Sequence, residues 1–220
     1  MTDPRELLGL PRPTARLLMD FIARPALHLH PQRAATLLPP GWPAGGPRRA
    51  ASRALMRQLD PHPALDLRQA LHRAALLPPV ALQALARRLA LRDQAGRLRR
   101  IILRTERAAL APHIDAAEWR WLLAPTTLPS AKPLAQPALA ELPHWLAHSG
   151  WHWLQAASRG LPDSVAQRLA LKLPLPLPAP VADSLSTEAA RDAVAELYPQ
   201  VAQDWDPQWE SGWQAWLKTH

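Results

Sequence analysis

Three histidines are the first candidates for chemistry in this chain of 220 residues. His144, His148 and His152 stand four residues apart, so a helix would place their imidazoles on one side, as a zinc site would. The row lacks the glutamate that zinc hydrolases carry beside their first histidine, and three tryptophans are interleaved with it. We therefore predict that these histidines pack among aromatic rings, and we assign no metal site.

Other residues that could take part in catalysis or metal binding form no catalytic pattern. His28 and His30 alternate with Leu27 and Leu29, which predicts an extended segment at 25–30 with both imidazoles packed on one face. The chain has no cysteine, which excludes a thiolate metal site, a cysteine nucleophile and a disulfide scaffold. It also has no glycine-rich phosphate loop and no G-x-S-x-G motif, and its carboxylates stand at helix starts, where capping explains them. We expect a protein that is not an enzyme, with no catalytic residue and no cofactor.

Arginines give the strongest candidate for binding. Arg97, Arg100, Arg104 and Arg107 recur at a spacing that predicts a continuous basic stripe on one helix, and residues 87–107 contain eight arginines against two carboxylates. The stripe is either a solvated helix face or a docking surface, since guanidinium groups bind carboxylates and phosphates well. Aromatic residues that would stack on bases are not interleaved with it. We predict that these four residues bind a partner protein, and no nucleic acid is expected there.

The elements that position these residues must be helical. Leucine (40) and alanine (41) far outnumber valine, isoleucine and threonine together (17), and the chain contains 26 prolines. Leucine and alanine favour helices, whereas proline is excluded from helix interiors and suits first turns and linkers. The composition predicts an all-α fold, a compact multi-helix orthogonal bundle of short, proline-punctuated helices.

Prolines and capping residues predict the helix boundaries. Beyond short helices before Pro11, Pro25 and Pro39, they place helices at about 48–60, 66–77, 80–111, 138–158 and 162–172, with a loop at 39–47 and polyproline II structure at 173–180. We expect Asp66 to start the helix at 66–77. We also expect a break near Gln94–Gly96 in the stretch 80–111 and a kink at Pro143 in the helix at 138–158. Asp115 and Glu118 predict a capping box for a helix at 119–123.

Two segments are expected in the domain organisation. Residues 1–180 form a single helical domain that contains a proline-rich linker at about 125–137, and residues 181–220 form acidic, tryptophan-rich C-terminal helices. The first of these helices is interrupted near Pro199, and the last begins after Asp206 with three tryptophans on one face, Trp209, Trp213 and Trp216. We favour packing of these helices on the body over presentation to a partner, because an exposed apolar stripe promotes aggregation.

Charge is divided unequally along the chain. Residues 1–172 carry 24 basic and 11 acidic side chains, whereas residues 173–220 carry 2 basic and 7 acidic ones. A basic body raises the expectation of an anionic partner.

No apolar run approaches the ~20 residues of a membrane-spanning helix, and the N-terminal residues lack the features of a signal peptide. We expect a soluble protein that is not exported by the general route.

Three stretches of the chain, in the same order, carry a resemblance to a known family. Residues 24–39 read RPALHLHPQRAATLLP, residues 89–103 continue to Trp119–Pro125, and residues 149–178 read SGWHWLQAASRGLPDSVAQRLALKLPLPLP. Together they resemble the YscK/SctK family of type III secretion accessory proteins. His28 stands where that family usually has a tyrosine, and the tryptophan-rich C-terminus is not part of the resemblance.

The resemblance implies a non-enzymatic adaptor of the injectisome sorting platform, located in the cytoplasm at the cytosolic face of the bacterial inner membrane. Such an adaptor links the cytosolic domain of the SctD-type inner-membrane ring protein to the SctQ-type pod protein, which holds the SctL-type stator and the ATPase, for effector export. The arginine stripe would then dock an acidic surface of a platform partner. The alternative function is that of a basic helical nucleic-acid-binding module.

Overall fold

The computed structural model describes residues 10, 12–37, 48–101, 103–124, 134–175 and 185–219. Within these ranges it contains eleven α-helices, two 3₁₀ helices (Pro25–His28 and Leu139–Glu141) and no strand. The α-helices are α1 (Arg12–Ala23), α2 (Pro31–Leu37), α3 (Arg48–Met56), α4 (Ala70–Leu76), α5 (Pro79–Leu98), α6 (Arg104–Leu110), α7 (Ala116–Leu123), α8 (Leu142–Ser158), α9 (Asp163–Lys172), α10 (Thr187–Trp205) and α11 (Pro207–Thr219). The prediction of an all-α compact helical bundle is confirmed.

Helix α5 is the centre of the fold. Its apolar residues point to several sides, with Leu82, Leu85, Leu89 and Leu91 all buried, and both α8 and α10 pack against it. A helix that is apolar on most sides has to be surrounded by other elements. The later helices therefore complete the core that α5 begins.

A close crossing joins α5 to α8 at Gly150. A Cβ atom at this position would collide with the backbone carbonyl group of Ala86, so only glycine allows the two backbones to approach this closely. Ala86 and Ala90 on α5 are also small and buried. Small side chains on both helices thus set the distance between the two main elements of the core.

A second, smaller core lies at the C-terminal end of α5. It joins the last turns of α5 to α6, α7 and the start of α8. Its buried members are Ala90, Leu91, Ala95, Leu98, Ile101, Leu110, Ile114, Leu122, Leu142 and Leu146. The region that contains the predicted arginine stripe is built on this cluster.

The C-terminal helices contribute directly to the main core. Ala190, Val194, Leu197 and Val201 of α10 belong to the same buried cluster as α4, α5 and α8. The tryptophan face of α11 is buried as well, and its rings contact one another edge to face. These apolar contacts hold the acidic helices against the basic body.

Polar contacts complete the docking of α11. Trp209 donates its indole N–H to the Tyr198 hydroxyl at 2.8 Å, and Glu210 lies 3.7 Å from the buried guanidinium of Arg73 on α4. Asp206 accepts a hydrogen bond from the backbone N–H of Gln208, as expected of a residue that caps this helix.

The helical stretch expected at 80–111 is divided into two helices, but the break does not fall near Gln94–Gly96 as predicted. α5 continues through Gly96 to Leu98, and α6 begins at Arg104. Ala95 and Leu98 are completely buried, and this packing outweighs the ~1 kcal/mol that a glycine costs inside a helix. The chain turns only after the last buried residue of α5.

Two helix starts differ from the prediction. Asp66 does not cap α4, which begins at Ala70, because the Asp66 carboxylate instead accepts bonds from the Arg68 N–H and the Gln69 side chain in a preceding turn. Pro143 does not kink a long helix, because α8 begins at Leu142 and the proline occupies its first turn. A first-turn proline loses no helical hydrogen bond.

Helix α10 is not interrupted at Pro199, which lies inside it. Residues on both sides of the proline, Tyr198 and Val201 among them, are buried in the main core. That burial keeps the helix intact although the proline removes the bond to the Ala195 carbonyl. Ala195 is exposed, so water can reach that carbonyl.

The segment at 25–30 is not extended over its whole length as predicted. Pro25–His28 form a 3₁₀ helix, and only the following residues are extended. His28 is buried, and the His30 N–H donates to the Leu171 carbonyl of α9. The proline after α1 favours a tight turn that lays this segment on α9.

Several local predictions agree with the structure, and others lie outside the described residues. Asp115 and Glu118 form the predicted capping box of α7, and α9 runs almost as expected. The first short helix, the 39–47 loop, most of the 125–137 linker and the second half of the 173–180 segment fall outside the described ranges.

Two cations on α9 are buried, and both bind backbone carbonyl groups. Arg168 donates to the carbonyls of Phe21 and Ile22 at the end of α1, and to that of Asp60. The Phe21 carbonyl has no helical donor because the residue four positions on is Pro25. Arg168 therefore completes the C-terminus of α1.

Lys172, one turn further along α9, does the same for α4. Its ammonium donates to the carbonyls of Ala75 and Leu77 at 2.7 and 2.9 Å. In a helix, the Ala75 carbonyl would accept a hydrogen bond from the residue three or four positions later. Those residues are Pro78 and Pro79, and neither has an N–H. Burial lowers the pKa of Lys172 to about 7.

Candidate functional site

The four predicted arginines lie around the junction between α5 and α6. Arg97 is in the last turn of α5, Arg100 is in the turn that follows, and Arg104 and Arg107 are on α6. Because α5 ends at Leu98, they do not form a continuous stripe on one helix as predicted. The structure brings them to one junction but gives them different environments.

Two of the four are used to hold the fold. Arg97 is half-buried and donates to the backbone carbonyl of Pro137. Arg107 donates to the carbonyl of Ile101 at 3.0 Å, and its guanidinium lies over the ring of Trp119 at 5.4 Å. Arg107 therefore ties the turn between α5 and α6 to α7.

The other two, Arg100 and Arg104, face solvent. Both are exposed, and among the residues that the structure describes neither makes an ion pair, a side-chain hydrogen bond or a ring contact. Leu103 lies beside them, 61% exposed, with an extended backbone that ends the turn and starts α6. We call Arg100, Leu103 and Arg104 the arginine surface.

The turn that creates this surface is shaped by burial on its inner side. Ile101 is 6% exposed and belongs to the small core, and the N–H groups of Arg100 and Ile101 bond back to the carbonyls of Arg97 and Leu98. With Ile101 inside, Arg100 and Leu103 of the same turn are exposed. Sequence periodicity missed this arrangement because it placed the break near Gln94–Gly96 and treated the residues after it, up to 111, as one helix.

Most of the remaining arginines of this region have partners within the protein. Arg87 binds Glu118 with two hydrogen bonds, of 2.7 and 3.0 Å, which fixes α7 against α5. Arg99 donates to the carbonyls of Leu122 and Ala124 at the end of α7. These side chains act as cross-links of the fold.

Another pair of arginines on α5 faces the acidic helix α10. Arg92 contacts Glu196 at 2.8 Å, and Arg88 lies 3.7 Å from Asp204, with its guanidinium over the Trp121 ring. The acidic tail therefore neutralises one side of the basic body. At the α5–α6 junction, Arg100 and Arg104 have no ionic partner among the residues that the structure describes.

Buried polar groups of α5 also hold the chain that precedes α8. Asp93 accepts a bond from the Leu134 N–H at 3.0 Å, and Gln94 donates to the Ala135 carbonyl. Burial raises the pKa of Asp93, an effect that these hydrogen bonds partly offset. Neither residue was selected from the sequence, where each looks like an ordinary polar position of a helix.

The histidine row does not converge on a metal. The rings of His144 and His148 lie 4.5 Å apart between centroids, and burial and the neighbouring His144 lower the pKa of His148. His152 is buried, which lowers its pKa too. In the described part of the chain no group of three or more histidine or acidic side chains could hold a metal ion.

An open groove lies between α4 and α10. It is lined by Gln69, Leu71, Glu188, Arg191 and Asp192, and Arg191 donates to the side chain of Gln69 at 3.3 Å. Its charges are of both signs and face solvent. The groove shows no arrangement that would favour one ligand.

The arginine surface is therefore the best candidate for function.

Across the described ranges, no helix combines the length and the apolar character that are needed to cross a membrane. Comparison with family models, with curated proteins and with solved structures finds no significant match to this chain.

Proposed function

We propose that the protein is a non-enzymatic adaptor of the type III secretion sorting platform. In this role it links the cytosolic domain of an SctD-type inner-membrane ring protein to an SctQ-type pod protein, with an SctL-type stator protein as a further partner. It would act in the cytoplasm, at the face of the inner membrane. The three stretches that resemble the YscK/SctK family are the origin of this proposal.

One structural observation supports it: these stretches form a contiguous unit. His30 and Arg33, in the first stretch, donate to the carbonyls of Leu171 and Leu173 in the third, at 3.0 and 2.7 Å. Leu89 of the second stretch belongs to the same buried cluster as Trp151 and Leu154, which the third stretch contributes on α8. Segments that are far apart in sequence thus build one part of the core.

The basic surface fits an adaptor as well. An adaptor needs a charged surface that is open to a partner, and Arg100 and Arg104 are exposed with no ionic partner in the described part of the chain. The acidic helices α10 and α11 are engaged with the body through Arg73, Arg88 and Arg92. A partner would therefore meet positive charge at the α5–α6 junction.

The test is direct binding. The full chain, immobilised through a tag, is incubated separately with the purified SctD-type cytosolic domain and the SctQ-type pod protein of the same host. We expect both to be retained, and to form a ternary complex on size-exclusion chromatography. Retention of neither protein would contradict the adaptor function.

The same preparation tests the alternative. A nucleic-acid-binding module would shift duplex DNA or single-stranded RNA with an affinity that falls steeply as salt rises. We expect no shift at physiological salt. A clear shift, together with no binding to the platform proteins, would favour the nucleic-acid-binding module.

A further inference from the structure

We propose that the arginine surface binds an acidic protein segment that inserts an apolar side chain against Leu103. The inference deepens the adaptor function and rests on it only for the identity of the partner. It names the residues of contact, Arg100, Leu103 and Arg104, and the chemistry that they recognise.

Charge is the first argument for an acidic occupant. Arg100 and Arg104 are exposed and have no ionic partner among the described residues, whereas Arg87, Arg88 and Arg92 of the same region each face a carboxylate. Glu106, the nearest carboxylate in sequence, makes no ion pair with either residue. Carboxylates of a partner would supply what the fold itself does not, because guanidinium groups bind them in bidentate geometry.

Leu103 is the second argument. It is among the most exposed large apolar residues of the described chain, and it lies between the two free arginines in sequence. Protein interfaces commonly combine an apolar contact with arginine and a polar rim. The neighbouring exposed residues of α6, Thr105 and Ala108, are small and would allow a partner segment to approach closely.

The same features argue against nucleic acid. Two guanidinium groups would neutralise few phosphates, and nucleic-acid affinity depends on many such contacts. The nearby aromatic rings are already covered, Trp119 by the guanidinium of Arg107 and Trp121 by that of Arg88. Bases would therefore have no ring on which to stack.

A lipid surface fits less well than a protein segment. Binding in the membrane interface needs an amphipathic helix with a broad apolar face. α6 is only seven residues long, and its terminal leucine, Leu110, is buried in the small core. Leu103 alone does not make such a face.

The experiment compares matched charge reversals in the full-length protein. Arg100→Glu/Arg104→Glu changes the surface, and Arg53→Glu/Arg57→Glu is the control, because those exposed arginines have the same spacing and their reversal changes the net charge equally. The milder Arg100→Gln/Arg104→Gln variant guards against misfolding, which circular dichroism and thermal melting would reveal. Leu103→Ala tests the apolar contact separately.

Two kinds of probe are used, so that this inference and the adaptor function can fail independently. One probe is the pair of purified platform proteins. The other is a fluorescently labelled peptide in which glutamates flank leucines at helical spacing, together with a copy in which glutamine replaces each glutamate. Duplex DNA and vesicles that contain phosphatidylglycerol are measured in parallel.

We expect the glutamate peptide to bind the natural protein more tightly than the glutamine copy, with an affinity that falls as salt rises. The Arg100→Glu/Arg104→Glu variant should weaken binding at least about tenfold at low salt, and the control reversal by less than about twofold. Leu103→Ala should weaken binding about threefold without changing the salt dependence.

Equal losses in the two reversals, or none in either, would overturn the inference. So would binding of DNA or vesicles, but not of the glutamate peptide, by the natural protein. If the platform proteins bind the natural protein and the charge-reversed variant equally, the adaptor function stands and this surface is wrong. If the peptide binds as expected but the platform proteins do not bind at all, the surface stands and the adaptor function fails.

Discussion

Cations have opposite environments in α9 and at the α5–α6 junction. On α9, Arg168 and Lys172 are buried, 1% and 2% exposed, and each donates to backbone carbonyl groups. At the junction, Arg100 and Arg104 are exposed and free of ionic partners within the described residues. The first pair serves the stability of the fold, and the second pair is available for binding.

The comparison also connects two excesses in the composition, proline and arginine. Prolines that follow helices remove N–H groups and leave carbonyls without donors. Cations from elsewhere in the chain bind such carbonyls, as Arg168 does at the end of α1 and Lys172 at the end of α4. At these two helix ends a buried cation thus replaces the donor that a proline lacks.

Removal of the Arg168 side chain should produce the largest change. Arg168→Ala leaves the buried carbonyl of Phe21 and the carbonyl of Asp60 without this donor, and we expect a loss of about 3 kcal/mol in the free energy of unfolding. Urea denaturation measures it. Arg159→Ala, at an exposed arginine after α8, is the control and should change stability little. Similar losses in the two variants would remove the distinction between buried and exposed cations.

Lys172 should make stability depend on pH above neutrality. Its folded pKa of about 7 lies below the unfolded value of 10.5, so between these values the unfolded chain binds a proton that the folded protein does not. The free energy of unfolding should therefore rise with pH in this window, by up to about 1.4 kcal/mol per pH unit, and should not gain from this group below pH 7.

The Lys172→Met variant is the control for that pH dependence. It has no titrating amine, so its stability should change less between pH 7 and 9.5 than that of the natural protein. Urea midpoints at several pH values give both profiles. Parallel profiles would show that the buried amine keeps its proton in the folded state.

The smallest effects are expected on the surface, where they separate the arginines that face α10 from those at the junction. Arg92→Ala breaks the ion pair with Glu196 and should cost about 0.5 kcal/mol, less at high salt. Arg104→Ala removes no internal contact among the described residues and should leave stability unchanged within about 0.3 kcal/mol. Urea titrations at low and high salt measure both. A larger loss for Arg104 would assign it to the fold.

Helix type and many boundaries could be read from the sequence because local chemistry sets them. The capping box of Asp115 and Glu118 is an example, since both residues act on their own helix. Boundaries failed where long-range packing decided them. Gly96 and Pro199 look like helix breakers, but each lies in a helix whose neighbouring residues are buried in a core.

The sequence was enough to select the arginines of the candidate site, but not to predict their separate environments in the fold. Periodicity selected Arg97, Arg100, Arg104 and Arg107 and treated them as equivalent. It could not show that Arg97 and Arg107 are bound to backbone carbonyls, because Pro137 is distant in sequence and the turn at Ile101 depends on burial. A weak signal for the buried cations existed, since Arg168 and Lys172 fall on the same face of α9 as Val165 and Leu169.

By itself the sequence determined an all-α protein with a basic body and an acidic tail, because helix propensity, proline and charge act locally or by composition. The tertiary structure alone decided which cations are buried on carbonyls, which face acidic helices and which have no ionic partner among the described residues. Hydrogen bonds and burial join residues that are far apart in the chain, so only the folded arrangement singles out Arg100 and Arg104 among the arginines of residues 87–107.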